Sequence, residues 1–165
     1  STSKSIQVKE PTIKLDRETA NIYPPATKTV TFTVTVNGVQ GNSGVTWTSG
    51  NTKVATVSNG KVTAVGKGTA TITAKANGKL AKAKVTVKDP YANVSPTSGT
   101  IKVGKTLQLT TNYAPASTGT PSYSSSNKKV ATVDSKGVVK GVKAGTATII
   151  VKVNGVTAKA EITVK

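Results

Sequence analysis

Six carboxylates carry whatever acid–base chemistry this chain could do: Glu10, Asp16, Glu18, Asp89, Asp134 and Glu161. Only Asp16 and Glu18 lie close in sequence, and a pair of neighbouring carboxylates is what a glycosidase uses. Nothing around them marks a cleft, and two acids at that spacing fit a surface strand or turn better. The chain has no His, Cys or Met. That removes the His general base, the thiolate nucleophile and the His/Cys zinc site together. The many serines then have no partner for a triad, and no motif supports a Ser–Lys dyad. The expectation is a chain that is not an enzyme, with no catalytic residue and no cofactor. Calcium needs several oxygen ligands with carboxylates among them. Six scattered acids among 23 basic residues do not supply such a set, so no metal site is expected either. Asp134, in the run VDSKG, is expected to fold its side chain back on its own backbone as an Asx turn.

What remains is charge. The 165 residues carry a net +17, with thirteen basic against three acidic residues up to Lys88 and ten against three beyond it. Neither half is a dedicated basic module. Lys82, Lys84 and Lys88 recur at even spacing, which places them on one side of a strand, and Lys75 belongs to the same sheet surface. Lys159 and Lys165 repeat the pattern later in the chain, with Glu161 between them. These six lysines are the candidate polyanion-binding residues, for partners such as teichoic acids or glycosaminoglycans. The bland alternative is a solvated face, or a strand edge that Lys guards against unwanted pairing. Specific nucleic-acid readout is not expected, because there is one Arg and neither a recognition helix nor an aromatic cluster. The six aromatics (Tyr23, Phe32, Trp47, Tyr91, Tyr113 and Tyr123) are scattered, which also argues against stacking platforms for bases or sugars.

The elements that must position these lysines are strands. TVTFTVTV at 29–36 alternates strictly, with Val30, Phe32, Val34 and Val36 on one face and four threonines on the other, which predicts a single half-buried strand. Asn-Gly at 77–78 and again at 154–155 is the strongest short hairpin signal, because both residues tolerate positive φ. A two-residue turn at Asn77-Gly78 pairs Ala74 with Ala81, Ile72 with Ala83, and Ala70 with Val85. The other face then pairs Thr73 with Lys82, Thr71 with Lys84, and Thr69 with Thr86. Around Asn154-Gly155 the same count pairs Val153 with Val156, Val151 with Ala158, Ile149 with Ala160, and Ala147 with Ile162. Thr148 with Glu161 and Ile150 with Lys159 fall on its outer face. An outward Glu161 is badly placed to assist a Lys–Asn isopeptide crosslink. A slip of one residue would mix the faces, so the register is well specified.

These hairpins belong to a unit written twice. Residues 49–88 and 125–165 are identical at about 24 of 40 aligned positions, with one gap at Asn59-Gly60 and an offset of about 76–77 residues. Trp47 falls opposite Tyr123, and both are expected to be core aromatics. Gly68 and Gly145 open strands where a tight turn or bulge would need them. Each unit reads as about seven short strands. The expected fold class is all-β, two tandem antiparallel β-sandwiches, with a first domain at 5–88, a short joint at 89–92 stiffened by Pro90, and a second domain at 93–165.

The run VTWTSGNTKVATVSNGKVTAVGKGTATITA, with Trp47, VATV at 54–57, Gly60, VTAVGKG at 62–68 and TATITA at 69–74, resembles the bacterial immunoglobulin-like domain of group 2. VATVDSKGVVKGVKAGTATI at 130–149 repeats it, with Tyr123 in the Trp position, so the resemblance spans about residues 10–165. The resemblance implies a fold and a setting rather than a site. It implies an extracellular bacterial surface or secreted module: a stalk, an adhesive element, or part of an S-layer or cell-wall assembly that self-associates in an array. It also leaves two alternatives, a phage virion decoration and an accessory region of a secreted polysaccharide- or wall-degrading enzyme. The absence of Cys is in keeping with an extracellular setting that dispenses with disulfides. No apolar run of about 18 residues is present, so no helical membrane span is expected. A chain that begins at Ser1 and lacks Met reads as a processed product or a piece of something longer.

Overall fold

The computed structural model describes residues 9–165, and every regular element among them is a strand. The backbone separates into two compact units, the first holding residues up to Pro24 and Lys28–Lys88, the second Asp89–Lys165 together with Pro25–Thr27. The first unit contains β1 (Ile13–Leu15), β2 (Thr19–Ile22), β3 (Thr29–Thr31), β4 (Val34–Val36), β5 (Val39–Gln40), β6 (Thr46–Ser49), β7 (Ala55–Ser58), β8 (Lys61–Ala64), β9 (Gly68–Ala76) and β10 (Lys79–Val87). One layer is the four-stranded sheet β2-β10-β9-β6. The other is made of β1-β4-β5 and β3-β8-β7. The core lies between them, with Ile22, Ile72, Ala74 and Val85 from the first layer and Phe32, Val34, Ala55 and Val62 from the second. Burying side chains of this size stabilises by about 1.5–3 kcal/mol each for the larger ones, and alternation along every strand is what makes the burial possible.

The second unit contains β11 (Tyr91–Ser95), β12 (Ser98–Ile101), β13 (Thr106–Gln108), β14 (Thr110–Ala114), β15 (Ser122–Ser125), β16 (Ala131–Val133), β17 (Val138–Gly141), β18 (Gly145–Val153) and β19 (Val156–Val164). Its four-stranded sheet is β12-β19-β18-β15, and β11-β14 with β13-β17-β16 supply the rest. Tyr91 and Ala92, assigned to the joint by the sequence reading, already pair with Ala114 and Tyr113.

The two long hairpins have the expected register pair for pair, from Ala74–Ala81 to Ala70–Val85 and from Val153–Val156 to Ala147–Ile162. Their turns carry the expected positive φ at Asn77, Gly78, Asn154 and Gly155. Other expectations need correction. TVTFTVTV is two strands rather than one. β3 pairs with β8, β4 pairs with β1, and the break falls at Phe32 and Thr33. Side chains from elsewhere hold that break. Asp16 Oδ1 accepts from the Thr33 amide at 3.0 Å, and Asn42 Oδ1 accepts from the Val34 amide at 3.3 Å. The inward face survives, since Phe32 and Val34 are fully buried and Thr33 between them is not. Splitting there, a similar split between β1 and β2, and the short β5 raise the strand count above seven. Each unit also contains one parallel pair, β2 with β10 and β12 with β19. Parallel partners need a long connection, and most of each unit lies between them.

Trp47 and Tyr123 are half-buried against the core rather than inside it; Phe32 is the enclosed aromatic. Each half-buried ring lies against a turn glycine. A Cβ on Gly60 would approach Trp47 Cζ2 to 3.2 Å and collide with the Phe32 carbonyl and the Asn42 amide group. A Cβ on Gly137 would meet Tyr123 Cζ at 3.0 Å and the Leu109 carbonyl at 2.8 Å. The same clasp closes both turns from different places in the chain. Asn42 Nδ2 donates to the Phe32 and Asn59 carbonyls at 3.2 and 2.9 Å. Gln108 Nε2 donates to the Leu109 and Lys136 carbonyls at 2.7 and 2.9 Å. The Tyr123 hydroxyl is 2.9 Å from Thr111 Oγ1, whereas Trp47 Nε1 is buried without a partner. Gly68 and Gly145 open β9 and β18 with positive φ, at 134° and 146°.

Gly60 and Gly78 both have positive φ, but only Gly60 is walled in. Gly78→Ala should therefore cost about 1–2 kcal/mol from backbone strain alone. Gly60→Ala should cost about 3 kcal/mol or more, because overpacking adds to the same strain. Urea midpoints of the two variants measure the difference; equal losses would contradict the packing seen under Trp47.

Candidate functional site

The carboxylates do not converge. Asp16 Oδ2 accepts from Arg17 Nε and Nη2 at 2.9 and 2.6 Å, while its Oδ1 holds the Thr33 amide. The Arg17 guanidinium also lies over the Phe32 ring, 5.6 Å from its centroid. Partial burial pushes the Asp16 carboxyl up, but the Arg17 hydrogen bonds, the Thr33 amide and the Arg17 charge together hold it below its ordinary value of 3.8. Oδ1 thus pins the chain where β3 gives way to β4, and Oδ2 is taken by Arg17. Glu18 is exposed at the head of β2, and Glu10 makes an ion pair with Lys79 at 2.9 Å. Asp134 Oδ1 accepts from the Lys136 and Val138 amides, both at 2.9 Å, which is the expected Asx turn. Among the described residues no group of three or more acids forms a metal-binding cluster. A surface hollow of about 480 Å³ beside Glu10 is lined by Lys9, Pro11, Thr12, Asn37 and Gly38 and holds no second carboxylate.

The lysines do converge on faces. In the first unit the inward residues of β10 are Ala81, Ala83, Val85 and Val87, so Leu80, Lys82, Lys84 and Thr86 point outward. On β9 the outward set is Thr69, Thr71, Thr73 and Lys75. Thr46 and Thr48 flank it on β6, and Thr19 and Asn21 flank it on the far side, on β2. Lys88 continues the line of β10 and is exposed. The outward face of β2-β10-β9-β6 is therefore threonine and lysine, with one Leu and one Asn and no acid or aromatic. Glu18 stands at its rim.

In the second unit the same face carries Lys152 and Lys159, followed by Glu161 between Thr148 and Ser98. Lys165 follows the end of β19 and is exposed. Sequence reading missed Lys152. It is the repeat counterpart of Lys75, directly opposite Thr157, and a signal was present in its outward position two residues before the Asn154-Gly155 turn. Ile150 also lies on this face and is half-buried. Of the scattered tyrosines, Tyr91 is 41% exposed while Tyr23 and Tyr113 are half-buried. No described helix is long and apolar enough to cross a membrane.

Comparison with known proteins finds likenesses to parts of longer chains. A curated glycosidase from Bifidobacterium longum subsp. longum, 3-O-alpha-D-galactosyl-alpha-L-arabinofuranosidase, is 55% identical over 51 residues, 30% of this chain and 4% of its own length. An uncharacterized protein of Clostridium acetobutylicum is 33% identical over 150 residues, 86% of this chain and 15% of that protein. The chain thus spans a small part of the curated relatives it matches. Among solved structures, the S-layer protein rSbsC(31-844) is similar over 98% of this chain and 28% of its own, with 22% identity and a TM-score of 0.49.

Asp16→Asn tests the structural role of that carboxylate. A carboxyl held below its ordinary value stabilises the fold above pH 3.8, and that contribution is lost as pH falls through the lowered value. The stability gap between the parent chain and Asp16→Asn should therefore be constant from about pH 5 to 7 and shrink at lower pH. Urea melts at three pH values measure it, and a gap that stays flat into strong acid would be inconsistent with the pinned carboxylate. The match that places the whole chain is to the bacterial Ig-like domain (group 2), found at residues 11–87 and again at 91–164, and the chain belongs to that family as two tandem copies.

Proposed function

We propose that this chain is a non-catalytic segment of an extracellular bacterial surface protein. Its two sandwiches space neighbouring domains or pack into a surface array, and they hold anionic wall or host polymers through a cationic exterior. One observation carries the reading: in a chain of two bacterial Ig-like domains, Lys75, Lys82, Lys84, Lys88, Lys159 and Lys165 are exposed on or at the ends of the outer sheet faces, while Asp16 and Asp134 hold backbone amides and Glu10 pairs with Lys79. A chain with net +17 attracts polyanions at low ionic strength through many weak contacts. The proposed domains follow the boundaries read from the sequence, 5–88 and 93–165, with the second moved back to Tyr91, where β11 begins; residues 5–8 lie outside the described residues.

A second reading is favoured by the 51-residue likeness to the arabinofuranosidase. In it the same module accompanies a secreted polysaccharide-acting enzyme whose catalytic part lies elsewhere. The two readings differ in what holds the polymer. Charge fails as salt rises, because the screening length shrinks from about 10 Å at 0.1 M to about 3 Å at 1 M. A neutral-glycan contact does not fail in this way.

Retention on purified cell wall, with and without its teichoic acid, across a salt series tests the proposal. Binding should be clear at low salt, weaker on wall stripped of teichoic acid, and gone by about 0.5 M salt. No retention at low salt would overturn it. Retention indifferent to salt and equal on a neutral arabinan would favour the accessory-region reading.

A further inference from the structure

Building on the polyanion reading, we infer that the outward face of β2-β10-β9-β6 in the first unit is the docking face, and that its occupant is a linear phosphodiester polymer of the polyol-phosphate kind. Residues two apart on a strand are about 7 Å apart on one face. Diagonal neighbours on adjacent strands are about 7–8 Å apart. Lys84 and Lys82 are related in the first way. Lys82 lies opposite Thr73, so Lys82 and Lys75 are related in the second. The result is a row of three ammonium groups at nearly even steps, with Lys88 extending it along β10. Among the described residues none of the four forms an ion pair.

A polyol-phosphate chain built on glycerol has six backbone bonds per phosphate. Three backbone bonds of extended chain span about 3.5 Å, so its charges repeat at about 7 Å. Threonine hydroxyls at 71, 73, 86 and 19 lie beside the row and can donate to phosphate oxygens, as a lysine can. The face carries no aromatic ring on which a nucleobase could stack. A shallow hollow of about 310 Å³ borders the face at Leu80 and Lys82, with Asp16, Arg17 and Glu18 on the other wall. A flexible, singly charged thread fits these features better than a nucleic acid does.

The second unit provides the comparison. Its face has Lys152, Lys159 and Lys165 at the positions of Lys75, Lys82 and Lys88, but Glu161 replaces Lys84 and places a negative charge in the middle of the row. The inference therefore assigns binding to the first unit and makes Glu161 the reason the second contributes little.

The test uses the full chain, a purified polyglycerol-phosphate teichoic acid as probe, and hyaluronate as a carboxylate-bearing comparator, by calorimetry at low salt. Lys84→Glu should weaken binding about tenfold or more and lower the salt slope by about one or more. Lys128→Glu makes the same charge reversal on an exposed loop of the second unit and should stay within about twofold. Glu161→Lys should tighten binding several-fold by completing the second row. Equal losses from Lys84→Glu and Lys128→Glu, or no gain from Glu161→Lys, would overturn the face assignment while leaving the diffuse polyanion reading intact. Hyaluronate bound as tightly, with the same dependence on Lys84, would overturn the phosphodiester occupant. If the parent chain binds neither polymer, the polyanion reading and this inference both fail.

Discussion

The placement of the lysine rows on the outer sheet faces depends on the register of two hairpins. Asn77-Gly78 and Asn154-Gly155 take the left-handed backbone that a two-residue turn requires, with φ of 49° and 74° in the first and 52° and 78° in the second. From there the pairing runs nine residues along each strand. A slip of one position would turn Ile72 and Val85 to water and drive Lys82 and Lys84 into a core that buries no polar or charged side chain among the described residues. An unpaired ammonium in that environment costs far more than a hairpin contributes. Core and cationic surface are therefore two consequences of one geometric choice, made by four turn residues.

That arrangement also lets a small core coexist with a large net charge. The interior of each hairpin is alanine facing larger alkyl groups, as Ala83 faces Ile72 and Ala160 faces Ile149. Such pairs allow two sheets to approach closely over a thin layer. Self-repulsion among 23 basic residues opposes the compact state. Outward projection on long side chains keeps the charges in high dielectric, where like-charge energies at these separations are fractions of a kcal/mol. The same solvation that makes the lysines tolerable leaves them available to a polymer.

What could be read from the sequence follows from whether a signal is local. The hairpins were legible because turn chemistry and alternation lie within a few residues of each other. Asp134 was legible for the same reason, since its partners are two and four residues on. The break at Phe32-Thr33 was not, because it is held by Asp16 from 17 residues away and by Asn42 from 8 and 10 away. Alternation continues straight through it and conceals it. The parallel pairs β2–β10 and β12–β19 were hidden similarly, since periodicity reports which side faces the core and says nothing of strand direction. Trp47 was overrated because a large ring suggests a core. Its position over Gly60 is set by a turn that admits no Cβ, and Phe32 takes the enclosed space instead.

The two units serve as an internal comparison of what the fold demands. Along the last strand the inward residues are Ala81, Ala83, Val85 and Val87 in one unit and Ala158, Ala160, Ile162 and Val164 in the other, so packing permits little beyond the step from Val to Ile. The outward residues are Leu80, Lys82, Lys84 and Thr86 against Thr157, Lys159, Glu161 and Thr163. Apolar gives way to polar there, and positive to negative, with the sheet unchanged. The fold is indifferent to charge on that face. The lysine row of the first unit is therefore not explained by stability, and neither is its interruption in the second. Solvent tolerates either sign equally well, so the two faces differ in charge: one carries an uninterrupted lysine pair on its last strand, the other a carboxylate beside its lysine.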